Sequence, residues 1–462
     1  MKTLFLSREA IRSQIVQRKK IVLLFLLAFG MFLIPKNAFA TPSYARQTGM
    51  ACSACHTVYP QLNSFGRSFK LNGYTLTGIK TITDDLTEKD KETVKNYLRI
   101  LSISPLSGMF QGGFTSLKTA IPNTQNNNIE FPQQFSLFYA GQVTPKIGTF
   151  IQLTLNNATG GIKLDNTDIR YADQFSAGDM PITYGFSLNN NPTVQDLWNT
   201  TPAWGYPYTS SGVAPIPGSN PIISSLGGTV AGIGAYTMIN NLLYLELSGY
   251  RTAQMGAALP PDATVSGAVY KTSPYWRAAL QKAFGKSYFE VGTFGMSNKL
   301  YTLGVTGLTN DYTDVAMDLQ YEYQLPKGQF TLHTSYINEK QQLNSSFSSG
   351  ASQNLDNNLR KFNLDASVYF KPSINLTAGY FATNGSTDNV LYAPSQISGS
   401  SAGAPDSKGM RFQLDYIPWG NTQFSVNYIS YSKFNGGSTN YDGFGRNASD
   451  NNAIYLQLWF AF

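Results

Sequence analysis

Cys52-Ser53-Ala54-Cys55-His56 holds both cysteines of the 462-residue sequence. Two cysteines two residues apart, followed at once by histidine, form the attachment pattern of a c-type haem. Each thiol can form a thioether to one vinyl group, and the spacing lets both sulfurs reach one ring. His56 then stands under the iron as an axial ligand. A CxxC redox disulfide would use the same cysteines but gives the histidine no task. A structural zinc site takes four ligands, usually Cys and His, and the only other histidine is the distant His333. With both cysteines in one motif, a disulfide framework is excluded.

The iron's sixth position has several candidate suppliers. Met109 sits beside Ser107 and Gln111 on an expected strand and by alternation points inward with them. His333 alternates with Phe330, Leu332, Thr334 and Tyr336 and so shares the opposite, inner face with Thr331 and Ser335. Met50 is close in sequence, at the limit of what can reach the opposite haem face. A methionine ligand would raise the potential relative to bis-histidine. A water-bound or open iron, with His333 an ordinary interior histidine, stays open beside these.

Three regions are expected to position the motif. Residues 1–40 read as a secretory signal peptide: a basic start, an apolar run from Ile21 to Ile34, and Ala38-Phe39-Ala40 as the cleavage site. The apolar run is short for crossing about 30 Å of hydrocarbon. Taking the seven basic residues and one acid of this segment from 34 Lys and Arg and 27 Asp and Glu leaves 27 and 26. The net charge falls from +7 to +1, so the basic pI is no argument for nucleic-acid binding.

Residues 41–97 form the expected haem segment and its linker. Pro60 suits a first helical turn, and Leu62, Phe65 and Phe69 then recur at helical spacing. Asn72-Gly73-Tyr74 reads as the helix end. So short a segment buries little surface alone and needs the rest of the chain to cover its haem. The charged stretch 80–97 reads as a solvated linker with a short helix.

From 98 to 462 the texture is that of an all-β transmembrane barrel, with about sixteen antiparallel strands alternating in hydrophobicity with period two. Short joints, such as Pro145-Lys146, Asn240-Asn241 and Gly285-Lys286, alternate with long connections such as 253–272 and 386–407. Outer-membrane barrels have short periplasmic turns and longer extracellular loops. The last strand is two-faced, with Ile454, Leu456, Leu458, Phe460 and Phe462 on one side. A soluble sandwich would explain neither the alternating joints nor this closing strand. Asp314, Asp318 and Glu322 share one face of a strand and are expected in the lumen, since charge on the lipid face is costly. The loop 189–227, rich in Trp, Tyr and Pro, is expected to fold inward and narrow the bore.

Tyr44-Ala45-Arg46-Gln47-Thr48-Gly49, the CxxCH motif, and Pro60-Gln61-Leu62-Asn63-Ser64-Phe65-Gly66-Arg67 together resemble the haem segment of the fused outer-membrane cytochrome–porins. The stretch from Asn191-Pro192 to Trp204-Gly205-Tyr206-Pro207 is also similar to that group. The resemblance implies one covalent haem c on Cys52, Cys55 and His56, and an outer-membrane electron conduit. Its donor would be extracellular Fe(II), drawn by Asp314, Asp318 and Glu322 unless these are plain water-facing charges. Its acceptor would be a soluble periplasmic cytochrome c, which makes the chain an Fe(II):cytochrome c oxidoreductase. The competing expectation is a solute porin whose haem-bearing plug senses redox state or gas.

Overall fold

The computed structural model describes residues 42–76, 105–155, 161–253, 260–370 and 373–462. The signal segment expected over 1–40 and the linker over 80–97 lie outside the described residues. Among the described residues, sixteen strands pair antiparallel in chain order, from β1 (Leu106–Leu117) to β16 (Ala453–Ala461). The ring closes by pairing of β1 with β16, for example Gln111 opposite Trp459. Closure removes the open edges that a sheet of this size would otherwise present.

Strand positions follow the expected ones, with β8 at Ser273–Phe284 as anticipated. Strand β4 runs Ile162–Ala177, four residues longer at each end than the expected 166–173. Its inner face carries Asp168 and Arg170. At one end of the barrel the connections are tight. Asn240 and Asn241, between β6 (Val230–Ile239) and β7 (Leu243–Thr252), both have positive φ, 54° and 51°. Asparagine tolerates this conformation, which suits the twist of a hairpin. The long connections gather at the other end.

The alternation is borne out on β10 (Thr309–Leu325). Asp314, Asp318 and Glu322 are buried inside, while Val315 and Met317 stand outside, Met317 being 68% exposed. Leu247, Leu376, Phe412, Leu414 and Val426 continue the outward apolar band, a surface of the kind a bilayer covers. Met317→Lys should therefore destabilise the barrel in lipid vesicles by about 2–4 kcal/mol, the cost of charge near a bilayer midplane. A change within about 0.5 kcal/mol in urea titrations, as at a water-facing site, would overturn the lipid assignment.

The segment 42–76 lies inside the barrel and carries two helices, α1 (Ser43–Thr48) and α2 (Ser64–Leu71). Helix α2 starts at Ser64, not at Pro60. Asn63 caps it, its side chain accepting from the Gly66 N–H at 3.0 Å, a strong N-terminal signal. Leu62 therefore lies before the helix and does not share its face with Phe65 and Phe69. The end at Asn72-Gly73-Tyr74 is as expected, Gly73 and Tyr74 both having positive φ. Gly66 is demanded by packing: a Cβ there would lie 2.3 Å from the Cys55 carbonyl oxygen. That close approach sets α2 directly against the CxxCH turn.

Polar contacts tie the segment to the wall. Arg67 donates both guanidinium arms to Glu322, at 2.5 and 3.0 Å. Tyr74 donates to Asp168 at 2.7 Å, Tyr236 donates to the Leu71 carbonyl at 2.8 Å, and the Tyr59 N–H reaches Gln423 Oε1 at 3.2 Å. Glu322, Gln423 and Tyr236 all lie within a few residues of short turns, so the segment occupies the short-turn half of the bore.

Candidate functional site

Cys52–Ala54 form one 3-10 turn, and the His56 N–H donates back to the Cys52 carbonyl at 3.0 Å. This turn brings both thiols and the imidazole to the wall of one cavity of about 460 Å³. Both thiols are free and half-buried. Facing walls come from Phe138 and Phe150, from Trp459 on β16, and from Trp204 and Tyr208 of the inward loop. Cofactor sites are commonly this size, with mainly apolar walls and a few placed polar groups.

His56 Nδ1 lies 3.3 Å from the Pro60 carbonyl oxygen. Donation from Nδ1 fixes the ring and leaves the lone pair on Nε2, the arrangement of a metal-binding histidine with an orienting carbonyl. Burial pushes this imidazole down to about 4, so it is neutral near pH 7. Burial, and then Cys52, push the Cys55 thiol up to about 11. Two free thiols, a neutral imidazole, aromatic walls and sufficient volume fit covalent porphyrin attachment.

The sixth-ligand candidates separate in space. Met109 is buried, lines the same cavity as the cysteines, and its Sδ accepts from Gln111 Nε2 at 3.6 Å. Met50 lines that cavity too. His333 does not. It borders a second cavity, and its Nδ1 is 2.9 Å from Asp365 Oδ2.

The three acids face inward as expected, but they are occupied. Glu322 holds Arg67. Asp318 takes Arg277 Nη2 at 2.6 Å and the Thr200 hydroxyl. Asp314 accepts from the Ile223 N–H at 3.1 Å and lies opposite Glu339 on the neighbouring strand. Each is under a tenth exposed. They anchor the plug and the inward loop rather than line open water.

The loop 190–229 does fold into the bore. Trp198 is fully buried and donates from Nε1 to Tyr288 Oη at 2.6 Å on one wall. Thr209 donates to Gln457 at 2.7 Å on β16. Sequence reasoning missed the basic residues that fasten loop and plug. Arg277 meets Asp196, Glu290 and Asp318, and Lys70 donates to the Val194 and Asp196 carbonyls, each at 2.7 Å. Burial pushes Lys70 down to about 7. A lone arginine amid apolar and aromatic residues, as in Tyr275-Trp276-Arg277-Ala278, was the available signal.

No protein-family model and no curated protein matches the chain. Solved structures similar to it include an anion-selective porin from Comamonas acidovorans, at 13% identity and TM-score 0.44, covering 77% of this chain and 98% of that one. The outer membrane channel DcaP of Acinetobacter baumannii is similar at 11% identity and TM-score 0.42, covering 77% and 96%. Salmonella typhi OmpF, solved with daunomycin, is similar at 12% identity and TM-score 0.43, covering 77% and 97%. The architecture of this chain rests on its own strand pairing.

Proposed function

We propose that the protein is an outer-membrane barrel that carries one haem c on Cys52 and Cys55 and conducts electrons from extracellular Fe(II) to a periplasmic cytochrome c. The observation that carries this reading is the convergence of both thiols, His56 and Met109 on one cavity inside the barrel. A bound c-type haem supplies a one-electron centre in the short-turn, periplasmic half of the bore. His56, oriented through Nδ1 by the Pro60 carbonyl, would hold the iron through Nε2. Met109 would be favoured over His333 as a second residue to hold it, since it shares the cavity with the cysteines while His333 borders another. Phe138, Phe150, Trp204 and Trp459 exclude water and hold a low local dielectric. Each Fe(II) oxidised to Fe(III) gives up one electron, and the acceptor cytochrome gains it. Ferric iron precipitates near neutral pH, so a cell gains by importing the electron and leaving the iron outside.

Mixing Fe(II) with the purified protein in a stopped-flow instrument tests this. The reduced haem absorption band should appear rapidly and disappear when oxidised cytochrome c follows. A haem that stays oxidised, together with solute-selective conductance in planar bilayers, would favour a porin with a redox- or gas-sensing plug.

A further inference from the structure

The segment 199–207 of the inward loop separates the cysteine cavity from a second one of about 320 Å³; Asn199, Pro202, Gly205 and Pro207 border both. The second cavity lies against the opposite wall, on β11 (Gly328–Gln342), β12 (Asp356–Phe370) and β14 (Ser407–Trp419). Its charged lining residues are Lys361, Arg411, Asp365 and His333.

The cations have no acid of their own. Lys361 Nζ donates to the Asn220 side-chain oxygen at 2.7 Å, a neutral partner. The Arg411 guanidinium lies 4.4 Å from the centroid of the Phe381 ring. Among the described residues neither forms an ion pair. The carboxylates at hand are taken. Asp365 is held by His333 at 2.9 Å. Asp415, four residues beyond Arg411 on the same strand, accepts from Gln413 and Ser425, each at 2.6 Å, and from Asn375 at 2.9 Å. His333, 2% exposed, also has a buried Nε2 with no partner. Enclosed charges without counter-charge are costly, and a ring nitrogen left without a hydrogen bond adds to that cost. One small anion would answer both cations. Guanidinium and ammonium groups recognise oxyanions, arginine by paired parallel hydrogen bonds. Ser335, Asn363 and Thr383 border the same space with further hydroxyl and amide groups.

We infer that this cavity is a binding site for a small multivalent oxyanion, inorganic phosphate or a short dicarboxylate, held by Lys361 and Arg411 beside His333. Its charged residues stand on strands, so the charges are fixed before the ligand arrives. Asn220, Ile216 and Pro217 of the inward loop border the cavity as well, and Asn220 and Ile216 are exposed, which gives a small anion a route in. This inference does not depend on whether the thiols carry a porphyrin.

Isothermal titration of the full-length protein in detergent with sodium phosphate, and separately with disodium succinate, tests it, with sodium chloride at matched ionic strength as the blank. Saturable one-to-one uptake of either anion is expected. Lys361→Gln and Arg411→Gln should each weaken it about tenfold or more, the worth of one charge-assisted hydrogen bond. Heat-modifiable migration in SDS reports that each variant is folded. Preference for phosphate would define a tetrahedral site and preference for succinate a dicarboxylate site. No saturable uptake of either by the unaltered protein, or equal affinity in both variants, would overturn the inference and leave a water-filled vestibule only.

Discussion

On the proposed haem attachment, Cys52→Ala combined with Cys55→Ala will remove all covalent haem and leave a folded barrel. Denaturing electrophoresis followed by peroxidase staining should show a stained band for the unaltered protein and none for the double variant. Both proteins should keep heat-modifiable migration. The separation of the two effects follows from the structure. The sixteen-strand ladder closes through β1 and β16 without any contribution from the CxxCH turn. Both thiols are half-buried on a cavity wall and bridge nothing, so each truncation should cost the fold about 1 kcal/mol or less. Single variants keep one possible thioether and should retain reduced staining. His56→Ala should keep the covalent link and change the absorption spectrum, because the imidazole acts on the iron and not on the vinyl carbons. Undiminished staining of the double variant would mean that the motif is misread, and a colourless unaltered protein would remove the redox function altogether.

What the sequence made legible was the wall. Strand number and joint alternation follow from period two and turn chemistry, and the inward loop from its Trp, Tyr and Pro content, all of them local signals. The contents of the wall were less legible. Alternation says that Asp318 and Glu322 point inward, but not whether inward means water or packed protein. Their partners, Arg277 and Arg67, lie 41 and 255 residues away in the chain, and no periodicity links them. The sixth-ligand candidates fail to separate in the sequence for the same reason. Met109 and His333 both sit on inner faces. Only position around the ring separates them, since β1 and β11 lie six strands apart in a closed order of sixteen. The misplaced start of α2 has a simpler cause. Pro60 is a permitted first helical residue, but Asn63, three residues on, satisfies the Gly66 amide directly, and the cap decides where the helix begins.

Arg277→Ala will free the inward loop from the wall while the barrel stays closed. The guanidinium of Arg277 on β8 lies 2.6 Å from Asp318, and 3.4 Å from each of Asp196 and Glu290, with all four side chains sealed from solvent. It also stacks 5.0 Å from the centroid of the Trp198 ring. Asp196 is the loop's organising residue, accepting from the Trp198, Thr200 and Thr201 amides at 3.0–3.2 Å. Burial pushes its carboxyl up, yet Arg277 and these amides outweigh burial and hold it below the usual carboxylate range. Its share of loop docking is therefore present above its ordinary pKa and is lost as pH falls through the depressed folded value. Removing the guanidinium takes the shared partner from three buried acids, and breaking such a cluster from one side costs about 3–5 kcal/mol. Arg277, Glu290 and Asp318 stand on adjacent strands that backbone pairing already holds together, whereas Asp196 is the loop's own link to the guanidinium, so the loss should fall chiefly on the loop. Open-channel conductance should rise, and proteolysis within 190–229 should quicken markedly at unchanged heat-modifiability. Arg277→Lys keeps a charge but can no longer fork between acids, and should fall between the two. Conductance and cleavage unchanged in Arg277→Ala would mean that Trp198 and the loop's own hydrogen bonds suffice, and that the arginine is a passenger among the acids it touches.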